Sequence, residues 1–279
     1  MMGLFRSGLV ITLWILQLPL LGSQLTSADT TLFVEGIRLI NRQMNEIALL
    51  TDDSKKTQVN EKIKQQLSQL LSLPGSFEYP FDSLRHIGVV YPPDSTFRIF
   101  TWNLSFRDGT YRHYGILQRK EGLPVTLTDR APAIVHPTDT VTGPETWYGA
   151  LYYRILKNKW KNRTYYTLLG LSLHNSLTNR KVIDVLTFDR KGRIRFGAPL
   201  FDLDGKTLYR IIFEFNAHIS MLLHYDDRMG MIVYDHLSPA RPELKGLPQY
   251  YGPDSSYDGF FFYKGKWRLR EDLDVRNEE

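Results

Sequence analysis

Two early stretches of the chain carry apolar residues at helical spacing. Phe33, Ile37, Ile40, Met44 and Ile47 recur every three or four positions, which puts them on one stripe of a helix. Thr51-Asp-Asp-Ser54 interrupts the stripe and offers side-chain oxygens to cap a second helix. In that helix Val59, Ile63, Leu67, Leu70 and Leu71 form the apolar face, Gln and Lys fill the other, and Leu73-Pro74-Gly75 ends it. The pattern predicts a helical hairpin over residues 29–75. A pair of this size cannot bury both stripes alone, so it must pack on a sheet or on a partner.

From Phe77 onward the pattern changes to short apolar runs separated by turn residues. Strands are expected over 97–104 and 111–118, joined by the turn Arg107-Asp-Gly109. Residues 121–145, rich in Pro, Thr and Asp, read as loop with one short strand at 125–127. Strand character resumes over 147–156 and recurs at 165–171, 181–188, 209–215, 220–225, 230–237, 260–263 and 266–269. Most intervals are too short for crossover helices, so about ten strands are expected in a predominantly antiparallel β-meander. The expected fold class is α+β, with the helical hairpin packed on a β-rich domain over 76–279 as one unit. A one-residue slip in any pairing would turn every side chain of that strand to the other face.

The first 28 residues add a destination. Arg6 is their only charged residue, an apolar block follows over 9–21, and small or polar residues such as Gly22, Ser23, Thr26 and Ala28 come next. That order is the order of a secretory signal peptide. The competing reading, a membrane anchor, needs about 20 apolar residues, whereas this block has about 13. Cleavage would leave no transmembrane anchor, and the protein is expected in the periplasm or outside the cell.

Composition narrows the class further. The 279 residues contain no cysteine, so disulfides, thiolate metal sites and cysteine nucleophiles are excluded. Small extracellular animal domains are usually stapled by disulfides, so their absence favours a bacterial exported protein. The formal charge is +5, and loss of Arg6 with the leader makes it +4. Charges are interspersed, and the densest basic stretch, Lys157-Asn-Lys159-Trp-Lys161-Asn-Arg163, reads as a solvated loop. No nucleic-acid motif accompanies it, and nucleic acid is not an expected partner.

Five ordered strings carry a resemblance. They are Phe77-Glu-Tyr-Pro-Phe-Asp-Ser-Leu84, Phe97-Arg-Ile-Phe-Thr-Trp102, Trp147-Tyr-Gly-Ala-Leu-Tyr-Tyr153, Lys181-Val-Ile-Asp-Val-Leu186 and Tyr250-Tyr-Gly-Pro-Asp-Ser-Ser-Tyr-Asp258. Their order resembles a group of exported proteins of Bacteroidota with no known activity. The resemblance implies a Gram-negative exported protein of mixed helix and sheet. It implies no cofactor and no site residue.

Candidate chemistry therefore comes from the residues themselves. Asp184, Glu214 and Asp235 lie inside apolar strands, where a charge needs a partner or a purpose. Either they converge in a cleft for acid–base work or cation binding, or each is paired structurally, with Arg210 as one available cation. His218 and His224 are six residues apart, about 20 Å along a straight strand at roughly 3.3 Å per residue, so they share no metal unless the chain bends. If residues 226–230 form a hairpin loop, Tyr225 faces Met231 and Ser220 lies opposite His236, with His218 as diagonal neighbour. No nucleophile-elbow sequence surrounds Ser220. Asp202-Leu-Asp204-Gly205 lacks the ligands of a calcium loop and reads as a turn. The stretch 250–258 is the expected ligand-contact loop, with Tyr250, Tyr251, Asp254 and Tyr257 offering rings and a carboxylate. No metal site and no cofactor are indicated. The first functional expectation is a non-catalytic binding or envelope-assembly module whose partner is an envelope protein or a glycan. The alternative is a hydrolase of an envelope polymer or glycan, which requires Asp184, Glu214, Asp235 or His236 to converge.

Overall fold

The computed structural model describes residues 27–203 and 205–274, so most of the expected leader lies outside the described residues. Helices α1 (Ser27–Leu49) and α2 (Asp53–Leu71) form the expected hairpin. The side chain of Asp52 caps α2 by accepting from the Lys55 N–H at 3.0 Å. All ten residues of the two predicted stripes are buried. Among the described residues no helix is long and apolar enough to cross a membrane.

The β-rich part is predominantly antiparallel, as expected of this α+β chain; it forms three sheets, with fifteen strands among the described residues where about ten were expected. The first sheet has β1 (Gly88–Val90), β2 (Phe97–Ser105), β3 (Tyr111–Arg119) and β4 (Val125–Thr128) in sequence order. The second contains β5 (Leu151–Trp160), β6 (Arg163–Leu173), β7 (Thr178–Phe188) and β11 (Ile211–Asn216), with β8 (Ile194–Phe196) paired to β7. The third runs in the order β10 (Lys206–Leu208), β9 (Phe201–Leu203), β15 (Lys266–Arg270), β14 (Tyr251–Tyr263), β13 (Met231–Pro239), β12 (Leu223–Asp226). Every pair is antiparallel except β15 with β9. The apolar runs are too numerous for one sheet, and stacking lets both faces of the inner sheets be buried.

Strand alternation explains the stacking. On β2, Phe100, Trp102 and Leu104 point to the helices, while Phe97 and Ile99 point the other way. The second face meets Ile155, Leu168 and Leu186 of the second sheet. The far side of that sheet, with Leu169, Ile183 and Val185, meets Ile232, Phe260 and Trp267 of the third. The result is four layers, one of helices and three of sheet, with an apolar filling between each adjacent pair. Burying each large apolar side chain contributes about 1.5–3 kcal/mol, which is what seats the hairpin on the first sheet.

Two polar devices fix that seating. Trp102 Nε1–H donates to Asn60 Oδ1 of α2 at 2.7 Å. Arg98 is fully buried on the helix-facing side of β2. It donates to Gln118 Oε1 at 2.7 Å, to the Tyr91 hydroxyl at 2.9 Å and to the carbonyls of Ser76 and Tyr79. The rings of Phe77, Phe81, Tyr91 and Phe100 surround its guanidinium. Burial pulls the Arg98 pKa below its ordinary value.

Three local expectations are corrected. The basic stretch 157–163 is not a loop: Trp160 pairs with Arg163, leaving only Lys161 and Asn162 to turn the β5–β6 hairpin. Residues 250–258 lie almost wholly in β14 rather than in a loop, because Tyr251, Gly252, Pro253, Tyr257 and Asp258 all pair with β13. In the β12–β13 hairpin Tyr225 faces Ile232, not Met231. Asp226 still pairs with Met231 while its carboxylate accepts from the Arg228 and Met229 N–H groups at 2.9 Å each. The loop is therefore one residue shorter than assumed. Ser220 falls before β12 and has no place opposite His236.

Candidate functional site

Between the first and second sheets the apolar filling gives way, at one end, to polar side chains on the same faces. On β7 the residues Leu186, Asp184, Val182 and Arg180 share a face by the two-residue period, and so do Ile212 and Glu214 on β11, with Arg210 immediately before it. His113 on β3 faces them from the first sheet. Here a cleft of about 340 Å³ opens, lined by His113, Asp129, Tyr148, His174, Arg180 and Glu214, among others.

One wall is a carboxylate–histidine pair. His113 is only 3% exposed, and its Nδ1–H donates to Asp129 Oδ2 at 3.1 Å. The same carboxylate accepts from the His113 backbone N–H at 3.0 Å and from Ala131 N–H at 3.0 Å. Asp129 thus fixes both the tautomer and the angle of the ring. His113 Nε2 is buried and has no hydrogen-bond partner.

The facing wall is an Arg-centred network. Arg180 Nε donates to Glu214 Oε2 at 2.9 Å, and its Nη2 donates to His174 Nε2 at 2.9 Å. Thr178 Oγ1 donates to Glu214 Oε1 at 2.7 Å. Glu214 is held below the usual carboxylate range: burial opposes this, and the hydrogen bonds from Thr178 and Arg180 with the Arg180 charge outweigh it. His174 is pulled below its ordinary value by burial and by the Arg180 charge, so its ring is neutral with the proton on Nδ1. Burial pushes the Tyr148 phenol up, keeping it a neutral hydroxyl beside Arg180.

The candidate residues read from the sequence divide among several places. Glu214 lines the cleft. Asp184 lies further along the same face of the second sheet, fully buried against Arg210 at 3.0 Å and accepting from the Tyr152 hydroxyl at 3.3 Å. Arg210 in turn sits over the Tyr148 ring. Asp235 is elsewhere, its Oδ2 accepting from Leu222 N–H at 2.6 Å. His218 is exposed in the turn after β11, its N–H donating to Asn216 Oδ1. These acids therefore do not converge. The hydrolase constellation named from the sequence is not assembled by this fold.

His236 and Asp254 do come together, at a bulge, with His236 Nε2 4.0 Å from Asp254 Oδ2. The register of β13 and β14 shifts between Asp235 and Leu237, so residues 254–256 loop out opposite His236. His236 Nδ1–H donates to Asp258 Oδ2 at 2.7 Å, and Ser238 Oγ donates to Asp254 Oδ2 at 2.6 Å. The hydrogen bond to Asp258 raises the His236 pKa, and the Ser238 and Ser256 hydroxyls hold Asp254 down to about 2. Tyr257 packs with Met231, Val233 and Leu273, and the Tyr251 hydroxyl accepts from Gly246 N–H at 3.0 Å. Tyr250 is exposed. The serine here bonds a carboxylate rather than the histidine, so it is no activated nucleophile.

Sequence reading missed His113, Asp129, His174 and Arg180. Arg180 and His174 sit in polar strand ends that look like turn flanks, and only the facing of two sheets joins them to His113. Among the described residues no three His, Asp or Glu side chains gather as a metal site. No protein-family model, curated protein or solved structure matches the chain.

Proposed function

We propose that the protein is an exported, non-catalytic binding module of a Gram-negative envelope, and that the cleft between its first two sheets takes the end of a neutral glycan. The basic–apolar–small order of residues 1–28 and the resemblance to exported proteins of Bacteroidota support the location, periplasmic or secreted. The cleft supports the ligand class. Its volume of about 340 Å³ is at the small end of ligand sites. Its one cation, Arg180, is already balanced by Glu214, which leaves no attraction for an anionic ligand.

The observation that carries this reading is His113 Nε2. A buried acceptor without a donor costs about 1–3 kcal/mol, and a sugar hydroxyl supplies the donor. The phenols of Tyr111 and Tyr148 and the Ser172 hydroxyl line the same space and complete a surface suited to a polyhydroxylated ring. Asp129 accepts three N–H bonds and Glu214 accepts from Thr178 and Arg180, which suits holding rather than proton transfer.

The test is a glycan array with the mature protein, followed by calorimetry on the retained sugar. Wild type should retain a neutral glycan, and His113→Ala should weaken it by about tenfold, the equivalent of about 1.4 kcal/mol. Unchanged affinity in that variant removes the cleft as the site. Mass-spectrometric detection of shortened sugars that depends on Asp129 and Glu214, the two carboxylates lining the cleft, would replace binding with hydrolysis.

A further inference from the structure

A second depression lies on the other side of the second sheet's edge and has the opposite electrostatic character. It has a volume of about 990 Å³ and is bounded by the β5–β6 hairpin tip, the β14–β15 turn and the strand ends around β8. Five cations line it, Arg163, Arg190, Arg195, Lys264 and Lys266, against the single carboxylate of Asp189.

Asp189 cannot neutralise this surface. Its carboxylate bonds Arg193 Nε at 2.6 Å and approaches Arg195 Nε at 4.0 Å. The N–H groups of Arg193 and Lys191 and the Arg193 side chain hold its pKa at about 2. Lys266 Nζ donates to the Pro199 carbonyl. Arg163, Arg190 and Lys264 have no carboxylate partner among the described residues. Like charges collected on a concave wall repel each other unless an anion is present.

One aromatic ring faces this charge. Trp160 is 39% exposed, and its ring lies so close to the β14–β15 turn that a Cβ on Gly265 would stand 2.4 Å from Trp160 Cδ1. Gly265 has φ +80°, so both the turn and the ring require glycine there. The other rings of the groove are occupied. Tyr165 packs against the apolar filling between the second and third sheets, the Tyr166 hydroxyl donates to Asp94, and Phe188 packs edge-on against Phe97 and Tyr166.

We infer that this groove binds an acidic oligosaccharide, with Trp160 stacked on one sugar ring and Arg163, Arg190 and Lys264 meeting the carboxylate or sulfate groups of its neighbours. A single braced ring between cations fits one pyranose flanked by charged units. Single-stranded nucleic acid is bound on successive stacking platforms, which this groove lacks. Asn162 and Thr164, also on the wall, offer polar contacts to hydroxyls. The groove shares no residue with the cleft, so this inference stands apart from the neutral-glycan reading.

The probe is an oligogalacturonate, with a neutral dextran oligosaccharide and oligothymidylate as comparators, measured by calorimetry at two salt concentrations. The expected result is salt-sensitive binding of the oligogalacturonate that falls by about tenfold, about 1.4 kcal/mol, in R163A/R190A and in W160A. Circular dichroism should show both variants folded, and His113→Ala should leave this binding intact. Three results overturn the inference: no binding of oligogalacturonate, affinity that the R163A/R190A variant retains, or tighter binding of oligothymidylate. A heparin tetrasaccharide in place of galacturonate separates sulfate from carboxylate preference within the same class.

Discussion

At the scale of single residues, this molecule places charge inside its layers and satisfies it locally. Asp184 and Arg210 neutralise each other with no exposure at 3.0 Å, and Arg98 is held by carbonyls and rings. The difference shows what a sequence can reveal. An aspartate among Val, Ile and Leu announces that it needs a cation, and Arg210 was an available one. Nothing around Arg98 announces that Ser76 and Tyr79 will turn their carbonyls toward it. His113 is hidden for the same reason, since its importance comes from a facing sheet. His236 gives a measurable consequence. Asp258 raises its folded pKa above the ordinary 6.5, so the stabilisation is full below pH 6.5 and disappears as pH rises through the raised value. Chemical denaturation across that window should show stability falling with pH in wild type. His236→Gln should flatten the slope, and an unchanged slope would mean the Asp258 bond does not operate in solution. The side chain is 45% exposed, so the effect is small.

At the scale of elements, helices were easier to read than strand pairings. A 3.6-residue period is complete within its own segment, and every stripe residue of α1 and α2 is buried. A strand pairing depends on the turn. The β12–β13 hairpin differs by one residue from the sequence reading because Asp226 both pairs with Met231 and caps the turn with its carboxylate. The stretch 250–258 was read as loop because Gly252-Pro-Asp-Ser-Ser256 fills its middle, yet a bulge lets it continue as β14. One buried bond helps pin the junction between α2 and β2, from Trp102 Nε1–H to Asn60 Oδ1 at 2.7 Å. Asn60→Ala leaves the indole N–H without an acceptor and should cost about 1–3 kcal/mol. A thermal melt reads this directly, and a Tm equal to wild type would show that water or another group replaces Asn60.

At the scale of the whole molecule, the four layers are tied by pairs distant in the chain. Trp267 on β15 reaches across to the second sheet, its Nε1–H donating to Thr167 Oγ1 at 3.0 Å over 100 residues of separation. β15 also supplies the only parallel strand pairing among the described residues, with β9. Removing residues 266–279 should therefore unfold more than a terminus: it opens the third sheet and uncovers Phe201 and Phe260. Dye binding to exposed apolar surface and loss of a cooperative melt would register this, and a truncated chain that melts like wild type would show that the sheets stand independently. The position of β15 also sets a timetable. A ribosome makes the chain from its amino end, so β15, which locks two layers together, emerges after the other strands of the three described sheets. Until then the nascent protein has unpaired edges and cannot settle.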